Sequence, residues 1–302
     1  MCSARTALAS RARRTVLRST AAWLAAPALA QAAKAELVVR YFPVGPIYEF
    51  RWRLLDEVLA RTRATDGPYR LRPYAEDVTQ DRGLALLEQG AIDVVALGTN
   101  REREARLHPV KVDILRGMVG MRMLVIRAAD QPRFARLTDA RLRSDVTFGL
   151  NSQWADVPVL RDAGYTVTTS LGYENLFDML AAGRFDAFPR GINEAWRELA
   201  LRQPTDPPLV VDETHALYFP YPIYYWVRKE ATGLAARIAR GLSACLADGS
   251  FRRLFESYHA EEIARMRTFK ARVIRLESSI LPPGTPPVDT SWWWPQAQRK
   301  IP

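Results

Sequence analysis

Three clusters of polar residues stand where apolar runs end. Ile92 to Leu97 breaks at Gly98 into Thr99-Asn100-Arg101-Glu102-Arg103-Glu104. A Gly frees the backbone, and a guanidinium can hold a carboxylate through two parallel bonds. Thr99, Arg101 and Arg103 therefore suit a small-anion receptor, and Arg103 keeps the better register with the apolar Leu107. For any one of these arginines alone, a solvated helix start is the plainer explanation. The second cluster, Asn151-Ser152-Gln153-Trp154-Ala155-Asp156, follows Val146–Leu150 and precedes a helix from near Val157. Helix starts present unpaired N–H groups and a positive dipole end, which favour anions. The third is Pro189-Arg190-Gly191, after Phe185–Phe188.

Other chemistries lack their residues. His108, His215 and His259 have no metal-ligand spacing from one another or from Cys245. There is no Gly-rich phosphate loop and no nucleophile elbow. The sequence therefore calls for no metal, no cofactor and no catalytic residue.

The elements that would carry these clusters alternate. Leu37–Phe42 reads as a strand ended by Pro43, Gly45 and Pro46, and a helix from Glu49 to Thr62 follows, with Trp52, Leu55, Val58 and Leu59 on one face. Tyr69–Tyr74 is a second strand, Thr79 caps a helix toward Gln89, and Ile92–Leu97 is a strand covered on both faces. Strands are also predicted over Val110–Leu115 and Met121–Arg127, with a buried strand through Tyr218–Val227. Helix–Gly–x–x–Asp–strand units recur at Gly90-Ala91-Ile92-Asp93 and Gly183-Arg184-Phe185-Asp186, one in each half of the chain, which predicts two similar α/β lobes. Cys245 falls on the apolar face of a helix over Ala235–Leu246. The Pro-rich end from Leu281 should dock Trp292, Trp293 and Trp294 on the body.

The net charge of +10 suggests a nucleic-acid partner until it is located. Five arginines and no acidic residue lie in residues 1–32; beyond them 38 basic residues face 33 acidic ones, a net +5 that needs no polyanion. The basic start and Ala21–Ala30 read as an export signal cleaved near Ala30 or Ala32, and Arg13-Arg14 permits the twin-arginine route.

Gly90-x-Ile92-Asp93-Val94 followed by Gly98-Thr99 and an Arg-Glu pair resembles the type-2 periplasmic solute-binding proteins, closest to the amino-acid-binding branch that serves ABC importers. The resemblance spans about Leu37 to Tyr258. It implies an α/β fold of two lobes joined by two crossover hinge strands: residues 33–120 and 223–280 in lobe 1, 121–222 in lobe 2, and a tail over 281–302. It further implies that Thr99 and Arg103, or Arg101, hold a ligand carboxylate, that Tyr41 or Tyr48 stacks on the ligand, and that Asn151, Ser152, Trp154 and Asp156 face it from lobe 2. The spacing departs from the family pattern, since Arg103 lies four residues after Thr99. Arg190 departs too, because the amino-acid-binding branch commonly places an acidic residue there for the ligand's ammonium. Asp156 could take that role. Otherwise Arg103 and Arg190 would face one cleft and favour a ligand with two acidic groups, unless Arg190 pairs with Glu194 instead. The implied protein is a periplasmic monomer and not an enzyme, with a small carboxylate ligand and a membrane permease as partners and no nucleic acid. A dehydratase-like enzyme and a ligand-sensing module are the alternatives.

Overall fold

The computed structural model describes residues 34–43, 45–76, 78–202 and 204–295. The export-signal expectation falls on residues 1–32, outside the described residues. Leu37–Tyr41 (β1) pairs in parallel with Tyr69–Pro73 (β2), Leu37 opposite Tyr69. The helix Glu49–Arg61 between them buries Phe50, Trp52, Leu54, Leu55, Val58 and Leu59, so the face predicted from spacing is the one that packs. Thr79 caps the next helix, Gln80–Glu88, by accepting the Arg82 N–H at 3.4 Å. Tyr41 bridges to Val94 in parallel, which aligns Val95–Gly98 (β3) with the same lobe. The next strand is Leu107–Val110 (β4).

The predicted strand over Val110–Leu115 is displaced. Beyond Val110 the chain turns, because the Asp113 carboxylate gathers backbone N–H groups from Leu115, Gly117 and Ile223 at 3.0, 2.6 and 3.0 Å. Pro109 is tolerated in β4 because β4 lies at a sheet edge, where a missing donor costs little.

The second lobe begins at Met121–Arg127 (β5), followed by the parallel pair Thr147–Asn151 (β6) and Thr166–Ser170 (β7), then Phe188–Gly191 (β8) and Leu209–Tyr218 (β9). Helices Asp156–Asp162 and Tyr173–Ala181 cover them. Ile223–Arg228 (β10) returns to pair antiparallel with both β3 and β4. The predicted continuous strand over Tyr218–Val227 is therefore two strands, interrupted where Pro220 and Pro222 lack the N–H a ladder needs. Arg272–Arg275 (β11) pairs parallel with β9, giving the order β11-β9-β5-β8. That segment, expected in lobe 1, adds a strand to the sheet of lobe 2.

The two crossings lie side by side, Met121 opposite Tyr218. A side chain at Gly120 would meet the Phe219 carbonyl at 2.1 Å, so only Gly lets the strands approach this closely. The tail docks on this hinge. Trp294 is buried against Tyr218, with ring centres 4.8 Å apart, and Trp292 packs between Phe251 and Phe255. Cys245 is buried in the core of helix Thr232–Ala247. Among the described residues no helix is long and apolar enough to cross a membrane.

Candidate functional site

A cleft of about 640 Å³ opens between the lobes. Lobe 1 contributes Phe42, Tyr48, Arg51 and Gly98, lobe 2 contributes Arg122, Asn151, Trp154, Asp156, Tyr173, Arg190 and Glu194, and Tyr221 comes from the returning hinge. Arg190 enters from the end of β8 and is buried. Its Nε and Nη2 donate to the two carboxylate oxygens of Glu198 at 2.7 and 2.5 Å, and Nη2 lies 3.0 Å from Glu194 Oε2. Burial opposes its charge, but Glu194 and Glu198 outweigh that and raise its pKa further. The alternative pairing with Glu194 is present although Arg190 still lines the cleft, and Glu198, in helix Ala195–Arg202, is the partner that takes two bonds. A guanidinium so neutralised does not repel a second cation across the cleft, which removes the basis for preferring a ligand with two acidic groups.

Arg122 on β5 joins the same network, with Nη2 at 3.0 Å from Asp156 Oδ2 and Nη1 at 3.8 Å from Glu194 Oε2. Aromatic rings sheathe the cations. Arg190 lies over Trp154 at 4.5 Å and Tyr173 at 5.5 Å, and Arg122 lies over Tyr221 at 5.5 Å. Arg190 Nη2 also reaches the Tyr48 hydroxyl at 3.4 Å, a contact from lobe 2 to lobe 1. Burial and the Glu194 charge raise the pKa of that hydroxyl well above its ordinary value.

Arg103 takes a different place from the one its position suggested. Asn100 caps helix Arg101–Arg106, its Oδ1 accepting the Arg103 N–H at 2.7 Å. Helical side chains lean toward the N-terminus, so the Arg103 guanidinium folds back onto the Gly98 carbonyl and lies 5.8 Å from the Trp226 ring. It lines a smaller, adjoining cavity of about 290 Å³, which takes in Ser152 and shares Gln80 and Gln153 with the main cleft. Its charge still reaches Tyr221. Thr99 is buried and donates to Glu104 at 3.3 Å, while Arg101 is exposed. Neither lines the main cleft, and neither does Tyr41, whose ring packs on Trp52 at 4.5 Å.

In lobe 2, Asn151, Trp154 and Asp156 line the cleft and the exposed Ser152 does not. The Asn151 amide is occupied: Nδ2 donates to Leu171 O at 2.8 Å, and Oδ1 accepts the Gln153 N–H at 2.9 Å. Asp156 fills the first turn of its helix, so its own carboxylate meets the positive dipole end that an incoming anion would have used.

Arg51, Arg122, Tyr173, Glu198 and Tyr221 were not singled out from the sequence. A signal for Arg51 was present: it stands in register with Leu55 and Val58, a charge on the apolar stripe of helix Glu49–Arg61. Arg122 is likewise a charge inside an apolar strand.

No family model and no curated protein matches this sequence. Solved structures do match. A mutant of ArgBP from T. maritima is 21% identical, with 74% of this chain and 95% of that one covered, at a TM-score of 0.53. The VFT2 domain of BvgS from Bordetella pertussis is 18% identical over 74% and 93%, at 0.54. AbpA, an amino acid ABC transporter substrate-binding protein from Streptococcus pneumoniae bound to L-arginine, is 15% identical over 75% and 95%, at 0.52. The chain is similar to amino-acid-binding proteins of ABC importers, and its fold is the two-lobed fold of type-2 periplasmic solute-binding proteins.

Proposed function

We propose that this protein is a non-enzymatic, periplasmic solute-binding protein that traps a small carboxylate-bearing ligand between its lobes. It then presents the ligand to the membrane permease of an ABC importer. The observation that carries the reading is the cleft itself: about 640 Å³ of space lined by aromatic rings and buried arginines from both sides of a two-strand hinge. A pocket of this size with few, well-held polar groups is the usual form of a small-molecule site. The likeness to importer binding proteins supports transport. The second reading is a ligand-sensing module, in which the same closure reports the ligand to a signalling partner.

The test is to denature gently purified protein, identify by mass spectrometry any small molecule released, and add it back. A ligand at 100 times its Kd stabilises the folded state by about 2.7 kcal/mol, which thermal melting resolves. Recovery of the ligand unchanged after prolonged incubation is expected, and a new chemical product would favour an enzyme. Failure of a broad panel of carboxylates and amino acids to raise the melting temperature would remove the proposal. Ligand-dependent association with a permease rather than a kinase separates transport from sensing.

A further inference from the structure

Arg51 differs from the other arginines of the cleft. Arg122 and Arg190 lie against carboxylates, and Arg202 at the mouth is held by both oxygens of Glu174 at 2.7 and 2.6 Å. Arg51 is 6% exposed and, among the described residues, forms no ion pair with a carboxylate. Its Nη1 donates to the Ala96 carbonyl at 2.7 Å, its guanidinium stacks 4.4 Å from the Tyr48 ring, and its Nε has no acceptor. Arginine does not shed its proton in proteins. Lobe 1 therefore presents a buried guanidinium with no carboxylate in contact with it, an arrangement that an incoming anion would relieve.

The opposite wall carries the opposite sign. Arg122 and Arg190 are set among Asp156, Glu194 and Glu198, so three carboxylates face two guanidiniums and one negative charge is in excess. Asp156 belongs to Arg122, and Glu198 to Arg190 through two bonds, which leaves the surplus on Glu194. Burial would raise the Glu194 pKa, but Arg190, Arg122 and Arg51 together hold it low, so it is ionised at neutral pH. Arg51 and Glu194 thus act on each other electrostatically without forming an ion pair. Both line the cleft.

What remains of the lining is uncharged or already paired. Phe42, Trp154 and Tyr221 supply rings, and Leu171 and Leu201, 74% and 64% exposed, stand among the cleft residues. Exposed leucines at a cleft are what an apolar ligand group would cover. With Arg202 and Glu174 satisfied by each other, a charged ligand side chain has no free partner here.

We propose that, if the solute-binding reading holds, the ligand is a zwitterionic amino acid with an uncharged, apolar side chain. Arg51 holds its carboxylate, Glu194 its ammonium, and the rings and leucines its side chain. The anion anchor then comes from the helix after β1 and not from Arg103.

Isothermal titration of the intact protein tests this with L-phenylalanine and L-leucine, 3-phenylpropanoate (no ammonium), phenethylamine (no carboxylate), L-arginine and L-glutamate. Expected is binding of L-phenylalanine or L-leucine, with the analogue lacking either charge weaker by about tenfold or more. Arg51→Gln should weaken the amino acid at least about 30-fold, the loss typical of one partner in a buried charge pair. Arg51→Lys, which keeps the charge and so the fold, should lose about tenfold. Wild-type affinity in both variants overturns the anchor, and equal binding of 3-phenylpropanoate overturns the role of Glu194. Selective binding of L-arginine or L-glutamate overturns the uncharged side chain while leaving solute binding intact. If no solute in the broad panel binds, solute binding itself fails.

Discussion

Glu198→Ala tests the most heavily bonded pair in the cleft. The Glu198 side chain is fully buried and accepts two bonds from Arg190, at 2.7 and 2.5 Å. Hydrogen bonds to charged groups contribute about 1.5–3 kcal/mol each, so losing both gives roughly 3–6 kcal/mol. Breaking a buried pair typically costs about 3–5 kcal/mol because a charge is stranded. Here Arg190 is not wholly stranded, since Glu194 stays at 3.0 Å. The expected loss is therefore near the lower end, about 3 kcal/mol. For a chain of this size that corresponds to a fall in Tm of roughly 5 °C. Urea unfolding and calorimetry give the two quantities independently. Replacing both partners, as Arg190→Met with Glu198→Leu, removes the stranded charge and should recover much of the stability. A Glu198→Ala protein within 1 kcal/mol of the wild type would refute the reasoning, because water would then be reaching Arg190.

Three further substitutions probe the frame around the site. In Gly98→Ala the new methyl group meets the Tyr221 ring at 2.2 Å, so a stability loss of about 1–3 kcal/mol and weakened ligand binding are expected from urea melts and titration. Trp294→Ala empties the tail's anchor against Tyr218 and should cost about 3–5 kcal/mol; an unchanged urea midpoint would mean the tail is not docked. Burial pushes Asp113 up to about 6 against three backbone N–H groups and Arg116 that pull it down. Its contribution is fully present below the ordinary carboxylate pKa and is lost as pH rises through about 6, since the unfolded chain gives up the proton first. The stability difference between wild type and Asp113→Asn should therefore shrink from pH 4 to pH 7, and a difference that grows would reverse the sign of the assignment.

The lobes were legible because their strands and helices announce themselves by period. The Glu49–Arg61 helix and the Thr79 cap follow from residues that are neighbours in sequence. The break of Tyr218–Val227 was written in its two prolines, yet the aromatic run disguised it. Strand β4 was misplaced because Asp113 acts through Ile223, a partner on a distant segment that no local pattern reveals. The same distinction explains the site. Arg103 carried a strong local signature, but whether an arginine faces a ligand depends on the helix it sits in, and Asn100 winds that helix so that the guanidinium returns to Gly98.

Arg51 and Arg122 carried a weaker but more physical signal. A charge on an apolar stripe is expensive to bury, so a fold that keeps it there must have a partner for it or a use for it. Arg122 has its partner in Asp156, thirty-odd residues along the chain and visible only once β5 meets the helix start. Arg51 has none among the described carboxylates and bonds only the Ala96 carbonyl, which is the ground for proposing it, on the helix Glu49–Arg61, as the anion anchor within the cleft. The charges of the cleft then divide by lobe, one unpaired cation on the first and one surplus carboxylate on the second. Closing the hinge around a zwitterion would satisfy both at once, and that coupling gives ligand binding a physical means of holding the lobes together.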